Sequence, residues 1–290
     1  MTVRLADPRR MPTLFHGSRF WIEASEAERM LAALPLRAPP EWSRFRTAQQ
    51  VSESTITNAF RACLTSGDAV YLKRYVYRRP QWRYLLRHSK ALREARGTSA
   101  MGRVGVASAE VLAFGEWRQF GLLRAAFLVT RELPDTVDLR EWAVHQAPGL
   151  PRPQLERIAR QLGGAVVDEV RRLHRAGLAH RDLKWRNILV REEAGRWRCW
   201  FIDCPRFTGS RFMRRRSQQL DLSGLARGAV LYLPLRARLR LLLRYVDGDK
   251  YEARRILRWV EAHLARRPPR HKPFVTKDRT RGLTGPASGP

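Results

Sequence analysis

Residues 179–190 read AHRDLKWRNILV. Asp182 is followed two residues on by Lys184 and five on by Asn187, and the run then turns β-branched and apolar. A chain that folds around this stretch must present an acid, an amine and an amide from one loop and then enter an apolar strand. The competing reading is a basic surface helix, which asks only for positive charge, so that arginine would serve at position 184.

Lysine usage separates the two. The chain holds 56 Lys plus Arg against 27 Asp plus Glu, a formal +29, yet its lysines are only Lys73, Lys90, Lys184, Lys250, Lys272 and Lys277. Arginine is a planar fork and lysine a compact point charge, so a lysine kept in such a chain has a reason to be there. The charge itself favours polyanionic partners: nucleotide, nucleic acid, anionic lipid or phosphorylated glycan. With 290 residues and 44% apolar content the chain can fill a core, which excludes disorder throughout. Three cysteines, Cys63, Cys199 and Cys204, show no metal-ligand spacing and fit a reducing cytoplasm. The start lacks an apolar signal core, and no run reaches the roughly 18 apolar residues of a membrane span. Any membrane contact is expected to be peripheral.

Along the chain, residues 1–45 carry helix-breaking prolines in LPLRAPPEW and read as an N-terminal extension. VSESTITNAFRACLTSGDAVYLKRYVY, from Val51, reads as a hairpin turning at Ser66-Gly67-Asp68. PQWRYLLRHSKALREAR, 80–96, opens on proline and repeats apolar residues at helical spacing, which predicts a helix ending near Gly97. AEVLAFGEWR and LLRAAFLVTREL follow as two strands joined near Gly121. Then the character changes: 153–177 has a long helical period with Gly177 as its stop, RCWFIDCPRF is a short strand, and the chain from DLSGL to ARR is helical. These shifts predict domains at 46–133 and 134–266, with 267–290 a disordered basic tail.

Phosphoryl transfer needs little covalent help. It needs a lysine over the phosphates, an acid to fix that lysine, a carboxylate at the attacking hydroxyl and oxygen ligands for a metal. Lys73 in AVYLKRY and Glu94 in the next helix fit the first two needs; Asp182 fits the third, with Lys184 neutralising the transferred group. Asn187 and Asp203, at the end of the WFID strand, fit the last. Each alone is unremarkable on a charged surface; the order and spacing together are not. Two of the six lysines fall where such a site needs one.

AVYLKRY, SKALREAR, AEVLAFGE, FLVTREL, HRDLKWRNILV, WFIDCPR and QQLDLSGL together resemble the protein-kinase-like fold, and most closely the lipopolysaccharide core kinases of the Kdo and heptose kinase (WaaP-like) family, from about Val51 to Leu231. The resemblance implies an α+β, two-lobed fold: an antiparallel N-lobe sheet with one helix, a mainly helical C-lobe, and ATP between them. It implies that the backbone of Arg131 and Leu133 meets the adenine while Thr130 faces the pocket. Asp182 would be the base, Asn187 and Asp203 the Mg²⁺ ligands, and Asp221 a holder of the catalytic loop or a helix N-cap in DLSGL. Trp185 and Arg186 are read as facing the acceptor. Three departures stand out: SESTITNAF replaces a glycine-rich loop, Cys204-Pro205 replaces Phe-Gly, and no A-P-E follows, with only 17 residues between Asp203 and Asp221. The last argues against a peptide acceptor.

The reading is therefore an ATP- and Mg²⁺-dependent kinase of a Kdo or heptose hydroxyl, acting on an anionic glycolipid, cytoplasmic or peripheral at the cytoplasmic face of the inner membrane. RFTGSRFMRRRS, 206–217, is a candidate grip on acceptor anions. The alternatives are a protein or other small-molecule kinase on the same fold, and a basic pseudokinase adaptor. Nucleic acid is disfavoured, since binding it has no need of Lys73, Asp182, Asn187 and Asp203 together.

Overall fold

Alternation along AVYLKRYV sorts its side chains onto two faces, with Val70 and Leu72 on one and Tyr71, Lys73 and Tyr75 on the other. Both faces are covered, which is why the neighbouring LLRAAFLVTR strand is apolar almost throughout. The computed structural model describes residues 16–22, 34, 36, 41–42, 49–53, 56–64, 67–77, 82–85, 87–204, 206–209 and 212–266. The tail expected at 267–290 lies outside them. Contacts divide the described residues into a first unit, up to Ala95 plus Glu110–Glu132, and a second, Arg96–Ala109 plus everything from Leu133.

In the first unit, β1 (His16–Ile22), β2 (Gln49–Glu53), β3 (Thr57–Cys63), β4 (Ala69–Val76), β5 (Val111–Gln119) and β6 (Leu122–Arg131) form one antiparallel sheet in the order β1-β5-β6-β4-β3-β2. Gly67, at φ 86°, makes the β3–β4 turn, and Phe120-Gly121, both at positive φ, the β5–β6 turn. One face packs Phe60, Leu72, Leu112 and Phe127 with Leu34, Leu36 and Trp42. The other packs Tyr75, Phe114 and Leu128 against Ala91, Leu92 and Ala95 of α1 (Lys90–Arg103).

The N-terminal region is thus more than a lead-in. His16–Ile22 adds an edge strand to β5, and the Trp42 indole donates to the Leu36 carbonyl at 2.7 Å inside the core. Leu34, Leu36 and Trp42 are all buried in that apolar face.

The helix expected over 80–96 begins only at Lys90 and runs through Gly97 to Arg103. Ser89 caps it: the Leu92 N–H donates to the Ser89 hydroxyl at 3.1 Å. Upstream, Trp82–Tyr84 makes a single tight turn. Gly97 is a close-approach residue rather than a stop, because a Cβ there would come within 2.7 Å of Cys204 Sγ and 2.8 Å of Phe207 Cβ.

The second unit opens with the short strand β7 (Val137–Asp138), then short helical turns from Leu139 to Gly149 and the long helix α2 (Arg152–Arg175). β8 (Ile188–Glu193) and β9 (Arg196–Phe201) complete a three-stranded sheet, β7-β8-β9. Three helices follow: α3 (Arg214–Tyr232), α4 (Leu235–Tyr245) and α5 (Lys250–Arg266). Val170, Leu173, Leu183, Ile188, Val190 and Phe201 form the centre of its core. No helix among the described residues is long and apolar enough to cross a membrane.

Candidate active site

In the first unit the pleat of β4 aims Lys73 at α1, where its Nζ lies 2.5 Å from Glu94 Oε1. Glu94 is buried, so its charge depends on that partner. The start of α1 is held by a buried ion pair, Arg118 Nε to Glu116 Oε1 at 3.2 Å. The second Glu116 oxygen accepts the Ser89 N–H, and the Arg118 guanidinium donates to the carbonyls of Tyr84, Arg87 and Gly121. Arg131 ends β6 with its N–H already given to the Glu110 carbonyl and its side chain to Glu110 and Asp68.

In the second unit the stretch AHRDLKWRNILV leaves α2 at Gly177 and enters β8, with its loop held from behind by Asp221. Fully buried, Asp221 accepts the His180 N–H at 2.8 Å and the Arg181 N–H at 2.6 Å, and lies 3.2 Å from His174 Nε2. It sits inside α3 rather than at an N-cap, because the helix starts seven residues earlier, at Arg214. His174 also meets the Tyr245 hydroxyl at 2.8 Å, tying the end of α4 into the same support.

His180 has no exposure, and its Nδ1 faces the Asp182 N–H at 3.3 Å. A backbone N–H can only donate, so Nδ1 accepts and Nε2 carries the proton toward the Ile202 carbonyl, 3.1 Å away. Burial holds the imidazole below the ordinary histidine range, outweighing the pull of Asp221, Asp203 and Asp182 toward its charged form. A base whose pKa falls on folding binds more protons when unfolded, so it lowers stability as pH drops below the ordinary value near 6.5. Thermal melts from pH 7.5 to 5 should show a loss that is smaller in His180→Gln.

Asp182 Oδ1 lies 2.5 Å from Lys184 Nζ, and the Asn187 amide nitrogen donates to the Asp182 carbonyl at 2.8 Å. That bond assigns the Asn187 amide, leaving its oxygen as the acceptor for a hard cation. The Asn187 carbonyl accepts the Ile202 N–H at 3.0 Å, which brings Asp203 directly after β9. Arg181 and Asp203 both hold left-handed backbone, at φ 64° and 61°. Arg181 lies in the loop before β8 and Asp203 just after β9, and left-handed backbone in non-glycine residues persists where the surrounding structure holds it. An amide oxygen and a carboxylate suit Mg²⁺, which takes one or two protein oxygens and fills its octahedron with water and phosphate.

A model of the lipopolysaccharide kinase (Kdo/WaaP) family matches residues 50–244, well over half of the chain. The chain belongs to that family. Among named relatives, the lipopolysaccharide core heptose(I) kinase WaaP of Pseudomonas aeruginosa is 31% identical over 180 residues, 59% of this chain and 66% of that protein. The protein of the same name from Escherichia coli K12 is 33% identical over 90 residues, 31% of this chain and 33% of its own length. The matched stretch thus spans less than two thirds of either relative. A solved structure, WaaP in complex with acyl carrier protein, matches at TM-score 0.65 and 25% identity over 86% of this chain and 98% of that one. The fold is protein-kinase-like, with an antiparallel N-terminal sheet and a helical C-terminal part.

Within this Kdo/WaaP family member, Lys73 and Glu94 meet in the first unit, and Asp182, Lys184, Asn187 and Asp203 gather in the second. Leu133 belongs to the second unit, its carbonyl accepting the Thr136 hydroxyl at 2.8 Å. The indole of Trp185, a half-buried residue, donates to the Leu225 carbonyl at 2.9 Å, and its ring packs near Tyr232. A side chain at Gly228 would collide with that ring. His174, Tyr245 and the Glu116–Arg118 pair were missed from sequence, since each looks like an ordinary surface residue until its partner is known.

Proposed function

We propose that this chain transfers the γ-phosphate of ATP, with Mg²⁺, to a heptose hydroxyl of the lipopolysaccharide inner core. The observation that carries the reading is the loop in which Asp182, Lys184 and Asn187 are mutually bonded, in a chain whose residues 50–244 match the lipopolysaccharide kinase family. Lys73, fixed by Glu94, takes the nucleotide phosphates; the Arg131 carbonyl and the Leu133 backbone take the adenine. Asn187 and Asp203 would hold Mg²⁺, which when bound neutralises charge on the phosphates. Asp182 accepts the proton of the attacking hydroxyl, and Lys184 offsets the charge on the group in transit.

Heptose is preferred over Kdo because both named relatives are heptose(I) kinases. The acceptor is an anionic glycolipid. Phe212, fully exposed, and the exposed Arg214, Arg215 and Arg216 offer it an apolar and cationic edge just beyond Asp203. The proposed place of action is the cytoplasmic membrane face, through peripheral contact with anionic lipid. Acyl carrier protein, the partner in the solved relative, is included in the proposed assembly.

The test is ADP release from Mg·ATP with a phosphate-deficient core acceptor, followed by mass analysis of the product. A gain of one phosphate on heptose is expected. A gain on Kdo would correct the acceptor, and no ADP release with any core acceptor would sink the reading.

A further inference from the structure

Two residues beyond Lys73, on the same face of β4, stands Tyr75. It is buried among Leu92, Ala95 and Phe114, and its hydroxyl donates to Glu94 Oε2 at 3.2 Å. Lys73 holds the other oxygen, Oε1. The carboxylate therefore receives a donor at each of its two oxygens.

We infer that Tyr75 is a positioning residue for the phosphoryl transfer proposed above, fixing the plane of the Glu94 carboxylate so that Lys73 is held at one place and angle. A carboxylate gripped at a single oxygen can swing about its Cγ–Cδ bond, and the ammonium it holds swings with it. Glu94 is 3% exposed, which leaves little room for water to take the second oxygen. The Lys73 side chain is 22% exposed, so the open end of the pair belongs to the lysine and the closed end to the tyrosine.

The chemistry of the donor matters as much as its place. In a chain with 50 arginines against 6 lysines, a guanidinium beside Glu94 would be the common choice. It would also compete with Lys73 for the same negative charge and weaken the hold on it. A phenol donates a hydrogen bond without bringing a charge, so Glu94 keeps its full attraction for Lys73. The inference rests on the kinase reading, and its test separates the two.

Tyr75→Phe in the full chain keeps the packing and removes one hydroxyl. Binding of Mg·ADP by calorimetry and steady-state kinetics are measured with thermal melting. The KM for ATP is expected to rise about tenfold to a hundredfold, as befits a lost hydrogen bond to a charged group, with the acceptor KM unchanged. In a Glu94→Gln background the same substitution should add no further rise, because Tyr75 acts through Glu94. An unchanged ATP KM in Tyr75→Phe, or an equal rise in both backgrounds, overturns the inference. If the unaltered protein binds Mg·ADP but does not turn over ATP, the kinase reading fails while Tyr75 is still judged on affinity. No nucleotide binding by the unaltered protein overturns both.

Discussion

Asp182→Asn is expected to leave the melting temperature nearly unchanged and to lower kcat by about a thousandfold, within the range of roughly 10²–10⁴ for loss of a general base. That fall corresponds to about 4 kcal/mol of transition-state stabilisation. The substitution keeps the shape of the side chain. The backbone carbonyl that orients Asn187 is untouched, so the loop has no reason to move. What disappears is the charge: Lys184 loses its anionic partner at 2.5 Å, and in the proposed reaction the attacking hydroxyl loses its proton acceptor. The KM for ATP should move little. A comparable fall in nucleotide binding would mean that Asp182 is structural, and an unchanged kcat would remove it from the reaction.

The second large effect is expected at Asp221→Ala, through folding first and activity second. The substitution strands the N–H groups of His180 and Arg181 in the interior and takes the carboxylate from His174. Removing one partner from a buried, charged network costs about 3–5 kcal/mol. For a chain of this length that is a fall in Tm of about 10 °C, at roughly 2–4 °C per kcal/mol. Turnover should drop even at temperatures where the variant stays folded, because Asp182 hangs from the two residues released. Asp221→Asn retains one acceptor oxygen and should fall between. Gly224→Ala attacks the same joint from the next turn of α3: its methyl would push directly into the carbonyl oxygen of Leu183. A Gly224→Ala protein with normal turnover would show that the loop does not depend on its seat against α3.

What the sequence made legible follows from which forces are local. The β3–β4 and β5–β6 hairpins could be read because glycine at positive φ and alternating side chains are written into adjacent residues. The contacts of Lys73 with Glu94 and of Asp182 with Lys184 and Asn187 could be expected because the roles proposed for them restrict residue type. The start of α1 was misplaced because the pattern around Trp82 and Leu85 is apolar at helical spacing, while the decision rests on Ser89 and its contacts with β5. Gly97 resembles a stop until Cys204 and Phe207 are seen pressed against it. Asp221 in DLSGL carries the local mark of an N-cap, and only the run of helix before it turns it into a mid-helix anchor. Trp185 shows the same limit for packing: its hydrogen-bond partner Leu225 lies 40 residues on, beyond the reach of any local pattern.

The Arg118 guanidinium, spread over three carbonyls and a carboxylate, gives the arginine content of the chain a second use. An ammonium has three donors on one atom and cannot reach groups lying in so many directions, whereas a planar fork with five N–H groups can. Arginine here serves as mortar between loops. Arg61 on Glu132 and Arg244 on Asp168 are likewise committed within the protein. Each of those pairs is neutral and already subtracted in the formal +29, so the attraction a passing anion meets comes from the arginines outside them, in clusters such as Arg214, Arg215 and Arg216.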